Sequence, residues 1–139
     1  MSDTRNITQI RVRYSETDQM GTFYNSRVLE WFEVGRTELL RQLNLPYARM
    51  EDQGAMLPLV EAHAEFLGRA KYDDPLEIAT TAAWSGRAKL RFDVTIVHAE
   101  TRAGVARGYT VHAITDRSGK PIRPPDWLSK ALKAIGSIA

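Results

Sequence analysis

The chain contains no cysteine. Disulfides, thiolate metal sites and cysteine nucleophiles are therefore excluded together. No apolar run approaches the ~20 residues a helix needs to cross a bilayer. The opening residues, Met1-Ser2-Asp3-Thr4-Arg5, lack the apolar segment of a signal peptide, so the expected location is the cytoplasm. Charge of neither sign dominates: 19 Lys and Arg stand against 17 Asp and Glu, a net of +2. The cations are scattered, without the basic stripe of a dedicated DNA binder, so nucleic acid is not an expected partner. A few dispersed cations suit a smaller phosphate-bearing ligand better. No repeat, low-complexity tract or linker rich in Gly, Ser or Pro divides the 139 residues. That length makes one domain, residues 1–139, and can bury a sizeable core without staples.

Several reaction classes drop out on motif grounds. There is no Gly-x-Ser-x-Gly, no Walker loop and no Gly-x-Gly-x-x-Gly after the first strand pattern. The three histidines, His63, His98 and His112, are not spaced i, i+4 on a helix and each falls in a strand pattern. Structural hydrogen bonding is the expectation for them, and no metal site is expected.

What is present is a change of period. Residues 7–14 alternate, with Ile10, Val12 and Tyr14 on one face, and predict a half-buried strand. Residues 26–44 carry Val28, Phe32, Leu39 and Leu43 at helical spacing, widened by Leu29, Trp31 and Leu40. They predict the one long helix, about 28 Å at 1.5 Å per residue. Gly35 lies at its middle, costs about 1 kcal/mol against Ala, and is expected to mark a close approach of backbone. Alternation then returns through Val60–Phe66, 76–84, 89–97 and 105–115, with Val105, Tyr109, Val111 and Ala113 as the inner face of the last segment. Turn residues between these segments predict antiparallel neighbours. A short tail helix is expected over about 126–136. The class is α+β: one long helix wrapped by a curved antiparallel sheet. Small or apolar residues on the opposite face, Ala79, Ala83, Ala106, Gly108 and Ile114, suggest a dimer.

The segment that can hold chemistry is the loop between the first strand and the helix. It carries Glu16 and Asp18, then Gly21, then Phe23 and Tyr24, and it feeds the helix start. Helix starts expose unpaired amide donors and a partial positive charge, which suit an oxygen that becomes anionic during a reaction. A carboxylate just upstream can act as base or nucleophile toward a carbonyl held there. From spacing alone, an Asp ahead of a Gly in a loop is more usually a turn or cap residue, and Glu16 reads as a solvated loop residue or a second carboxylate.

The stretch Arg13-Tyr14-Ser15-Glu16-Thr17-Asp18-Gln19-Met20-Gly21, followed by Trp31-Phe32-Glu33-Val34-Gly35-Arg36, resembles the hot-dog-fold acyl-CoA thioesterases of the 4-hydroxybenzoyl-CoA thioesterase type. Ala70-Lys71-Tyr72-Asp73-Asp74-Pro75-Leu76 and Gly108-Tyr109-Thr110-Val111-His112 with Gly119-Lys120-Pro121 are similar to later parts of that family. The likeness covers about residues 7–128. It implies a hot-dog fold, a homodimer often paired again into a tetramer, and hydrolysis of an acyl-CoA to free acid and CoA. It places Asp18 as the catalytic carboxylate and the backbone N–H near Asn25 as the group that polarises the thioester carbonyl. No cofactor is implied, since CoA is part of the substrate. Many relatives carry a His where this chain has Asn25, an Asn at Arg27 and a Tyr at Val28.

With an acyl-CoA as substrate, Phe23, Tyr24 and Trp31 are candidate walls of the acyl pocket. Arg87, Lys89 and Arg91 are the first candidates for the CoA phosphates, with Arg69, Lys71 and Arg123 as further options. Glu61 and His63 share a strand face that a second subunit could bring near a site. Two other classes share the architecture or ligand: a hot-dog dehydratase acting on acyl carrier protein, for which the loop is poor in histidine, and a non-catalytic acyl-CoA-binding module.

Overall fold

The apolar stripe around Trp31 folds as a single helix, α1 (Arg27–Gln42), which buries Val28, Trp31, Phe32, Gly35, Leu39 and Leu40 on one side. The computed structural model describes residues 4–133 and 135–138. Around α1 lie β1 (Asn6–Arg11), a 3-10 turn (Tyr14–Glu16), a short α2 (Tyr47–Asp52), β2 (Leu59–Phe66), β3 (Pro75–Ser85), β4 (Lys89–His98), β5 (Gly104–Ala113), α3 (Asp126–Ala131) and β6 (Gly136–Ile138). The sheet order is β1-β3-β4-β5-β2, antiparallel throughout, and β6 pairs in parallel with the last residues of β3 beyond the part that β1 covers. A long helix wrapped by a curved antiparallel sheet is the hot-dog arrangement.

Two apolar clusters share the helix between them. Val28, Trp31 and Phe32 meet Leu76, Ile78, Val94 and Ile96 near its start. Leu39 and Leu40 meet Ala82, Leu90, Phe92, Ile114 and Leu128 near its end. Each large side chain so buried contributes about 1.5–3 kcal/mol. The helix therefore runs along β3, and its first turn comes to lie beside the loop that precedes it.

The sequence pattern and the structure part in five places. Tyr14 does not continue the first strand; it opens the 3-10 turn and is 77% exposed. Residues 47–52 form α2, too short for a 3.6-residue stripe to register. β2 and β3 are not neighbours: the connection from Leu67 to Asp74 crosses between sheet positions, and β2 pairs with β5 at the opposite edge. The tail helix stops at Ala131, and residues 136–138 are strand. In β5 the inner face is Ala106, Gly108, Thr110 and His112, opposite Ile96, Val94, Phe92 and Leu90. The expected inner set, with Tyr109, Val111 and Ala113, is one residue out of phase; a bulge at Ile96/Val97 and two inward polar residues hide the alternation. Ala106 and Ile114 accordingly belong to the core.

Gly35 marks the close approach its position suggested. A Cβ there would overlap the Thr80 hydroxyl and come within 2.9 Å of Ile78 Cγ2 on β3. Gly35→Ala gains about 1 kcal/mol of helix propensity but forces α1 off the sheet, an overpacking cost of about 1–3 kcal/mol. Thermal denaturation is expected to show a lower Tm. The Thr80 hydroxyl is buried and has no hydrogen-bond partner among the described residues. Thr80→Val removes that unmet group and is expected to raise Tm, by the equivalent of about 1 kcal/mol.

Candidate functional site

The loop between β1 and α1 is organised by a buried carboxylate. Glu16 is 3% exposed. Its Oε1 accepts the Arg13 backbone N–H at 2.7 Å, and its Oε2 accepts the Trp31 indole N–H at 3.0 Å and an Arg13 guanidinium N–H at 3.3 Å. Burial pushes this carboxyl upward, but those bonds together outweigh it and hold the group below its ordinary value. Glu16 is thus neither solvated nor available as a second reacting carboxylate. It fastens the loop to the second turn of α1. The Tyr24 amide donates to the Glu16 carbonyl at 2.8 Å, and Thr17 and Phe23 form an isolated bridge. The Arg27 guanidinium donates to the Ser15 carbonyl at 3.1 Å and to Glu30 at 3.0 Å, which explains a cation at a helix start where the dipole disfavours one.

Asp18 sits at the tip of this tied loop and is half-buried. Its N–H donates to the Thr22 carbonyl at 2.8 Å, and its Oδ1 accepts the Met20 N–H at 2.8 Å, an Asx turn that orients the carboxylate. Gly21 follows at φ 82°, where a side chain would be strained. Oδ2 accepts no hydrogen bond among the described residues. Ahead of α1 the backbone N–H groups of Asn25 and Ser26 also have no acceptor among the described residues. The two residues border a groove of about 240 Å³ lined by Asn25, Ser26, Val28 and Leu29 on one side and Ala62, Ala64 and Phe66 of β2 on the other. Asp18 is not part of its wall within one chain.

The other candidate residues divide clearly. Phe23 and Trp31 are core: they are 6% and 2% exposed, with ring centroids 5.0 Å apart. Tyr24 is 53% exposed beside the helix start. Arg69 and Lys71 line a cleft of about 270 Å³ with Met20, Gly21 and Thr22, directly under the Asp18 loop. Arg87 and Lys89 lie past the far end of β3, roughly 35 Å away at ~3.3 Å per residue. Arg91 pairs with Asp93 at 3.0 Å and stacks over the Tyr109 ring at 3.8 Å. Arg123 is exposed near the chain's end, ahead of α3. Tyr109 also donates to Glu61 at 2.7 Å, and His63 lies 3.5 Å from Glu65. His112 is buried with both ring nitrogens bonded, to the Leu57 carbonyl at 2.9 Å and the Thr110 hydroxyl at 3.0 Å, and burial lowers its pKa. Among the described residues no group of three or more His, Asp or Glu is placed to hold a metal, and no helix is long and apolar enough to cross a membrane. The β2 wall of the groove was the part local patterns missed. Ala62, Ala64 and Phe66 do alternate, but nothing local says which element they face.

Comparison with known proteins gives the family and agrees with the fold. A family model described as the thioesterase-like superfamily matches residues 12–132. Bacillus subtilis YneP is 42% identical over 74 residues, which are 53% of this chain and 49% of that protein. The Haemophilus influenzae acyl-CoA thioesterase YbgC is 33% identical over 85 residues, 60% of this chain and 62% of that protein. The chain thus spans about half to three fifths of these relatives' lengths. The crystal structure of a DHNA-CoA thioesterase from Staphylococcus aureus superposes with a TM-score of 0.83 at 27% identity, covering 96% of this chain and 99% of that one.

The Glu16 knot generates a pH-dependent prediction. Its folded-state pKa lies below the unfolded value of about 4.3. Its stabilisation is therefore complete above that value and is lost as pH falls through the folded one. Glu16→Gln sets an NH2 against one of the donors now met by the carboxylate, and is expected to cost about 1–3 kcal/mol at pH 7. The variant's Tm should also fall less than the parent's between pH 6 and about pH 3. Equal Tm values at pH 7 would remove the structural role assigned here.

Proposed function

We propose that this chain, which belongs to the thioesterase-like superfamily, hydrolyses acyl-CoA thioesters. The observation that carries the reading is the pair of unpaired backbone N–H groups at Asn25 and Ser26, at the start of the long helix and over an apolar groove. The acyl group lies in that groove against Val28, Leu29, Ala64 and Phe66. The thioester oxygen takes the free amides, where the helix dipole favours growing negative charge. One such donor is worth about 3 kcal/mol to the transition state.

Asp18 supplies the carboxylate. As a base it takes a proton from water, whose oxygen adds to the carbonyl carbon; as a nucleophile it forms a mixed anhydride that water then opens. In both routes the C–S bond breaks, the CoA thiolate leaves and takes up a proton, and only water is consumed, so no cofactor is needed. The Asx turn keeps one oxygen engaged and leaves the other for the reaction. Because the backbone amide is the polarising group, Asn25 in place of a histidine does not remove it. Phosphates of CoA meet Arg69 and Lys71 in the cleft below the loop. Arg87, Lys89 and Arg91 can reach the same ligand only from another copy of the chain.

Assembly follows from β2. It is an edge strand exposed along almost its whole length, with Leu59 49%, Val60 52% and Phe66 53% exposed. A free edge of this kind pairs readily with another strand. A second copy laid along it covers those side chains and roofs the groove, giving a homodimer and, through the outer sheet face, a dimer of dimers.

Purified protein is expected to release thiol from some member of a panel of aliphatic and aromatic CoA esters, read with a thiol-reactive dye. Asp18→Asn should lower kcat by about a hundredfold or more with an unchanged melting curve. No turnover across the panel, or near-normal activity in the variant, would contradict the reading.

A further inference from the structure

We propose that this protein holds a second binding site, for a small organic carboxylate about one ring in size, in the cavity under the middle of α1. The cavity has a volume of about 170 Å³ and lies between α1, α2 and the inner face of β4 and β5, with Arg36, Thr37, Leu40, Tyr47, Phe92 and His112 in its wall. It is separate from the groove at the helix start, since Arg36 follows Asn25 by about 16 Å of helix at 1.5 Å per residue.

Arg36 is a cation with too few acceptors. The Arg36 side chain is 19% exposed, and its one ion pair among the described residues is a long contact of 3.6 Å to Glu33, whose own side chain is 67% exposed. Among the described residues its guanidinium makes no hydrogen bond. Five N–H donors withdrawn from water call for acceptors. Burial pulls its pKa down more than the neighbouring Glu33 and Tyr47 restore it.

The surroundings favour an anion and then narrow its kind. The Tyr47 hydroxyl accepts the Leu57 N–H at 3.0 Å, which leaves its own proton free to donate. His112 adds no competing charge: both ring nitrogens are bonded and burial keeps the ring neutral. Among the described residues the only carboxylate in the wall is Glu33, whose side chain is mostly exposed. A planar two-oxygen group fits the guanidinium fork in a bidentate manner. The rest of the wall, Leu40 and Phe92, is apolar and rewards a hydrocarbon body, which inorganic phosphate lacks. An apolar cavity of roughly 150 Å³ holds one benzene, so a single-ring or short-chain acid fits and a nucleotide does not.

The test uses the full chain without any thioester, so its outcome is independent of the hydrolase reading. Benzoate is titrated at constant ionic strength by calorimetry, beside neutral benzamide and inorganic phosphate. Benzoate should bind saturably, at one per chain, at least about tenfold tighter than either control. Arg36→Gln should weaken benzoate by about tenfold or more, and Glu33→Gln, a change at an exposed side chain, should tighten it about two- to threefold by removing the competing carboxylate. If Arg36→Gln does not fold, Glu33→Gln and the benzoate–benzamide ratio decide. The proposal is overturned if benzoate binds no better than benzamide, if Glu33→Gln leaves its affinity unchanged, or if a folded Arg36→Gln variant changes the mass seen by light scattering while benzoate binding persists. That last result would give Arg36 to a contact between copies.

Discussion

A buried carboxylate ties the loop before the long helix to the core of that helix. Glu16 takes the Trp31 indole on one oxygen and the Arg13 amide on the other, so a core residue of the helix and the exit of β1 share one acceptor. The loop is also tied to Ala70 by the Phe23 amide and the Thr22 hydroxyl and to α1 by Arg27, and the Glu16 bond adds a hydrogen bond to a core side chain of the helix. Reactive groups need placement to within about 0.5 Å to be effective. For the role proposed for Asp18, that placement comes from Glu16, two residues away, which is fixed through the core.

Small side chains do the complementary work on the sheet. Gly35 lets α1 sit close against Ile78 and Thr80, and Gly108 lets β2 lie tight against β5, where a Cβ would come within 3.0 Å of the Ala64 Cα. With the helix and the edge strand both held in, Ala62 and Ala64 leave space between them that larger residues would fill. The groove beside the Asn25 and Ser26 amides is therefore a consequence of packing, with Phe66 in its wall and β2 at the edge of the sheet.

Much of this was legible in the residues. The stripe through Val28, Phe32 and Leu39 identified the helix, and the alternation Leu90, Phe92, Val94, Ile96 identified β4 with its inner face, all four of them buried. Gly35 was readable as a close approach because an interior glycine otherwise costs stability. The readings that failed involve partners distant in sequence. Glu16 looks like any polar loop residue until Trp31, fifteen positions on, turns out to donate to it. Thr110 and His112 face inward because they satisfy one another and the Leu57 carbonyl, so polarity misstates their side. Arg87 and Lys89 stand apart from these: the length of β3 puts them at the far end of the sheet from Asp18, so the contact with CoA expected of them calls for a second copy. Local pattern reports which face an element hides; it does not report which polar atom finds which.

The account depends on where a thioester carbonyl lies. The direct measurement is a crystal structure with a non-hydrolysable ketone analogue of an acyl-CoA. The account predicts the carbonyl oxygen within about 2.7–3.1 Å of the Asn25 or Ser26 amide nitrogen, the Asp18 carboxylate facing the carbonyl carbon, and the acyl group against Val28 and Phe66. A carbonyl bound away from the helix start, or an Asp18 carboxylate turned to bulk water in the complex, would contradict it.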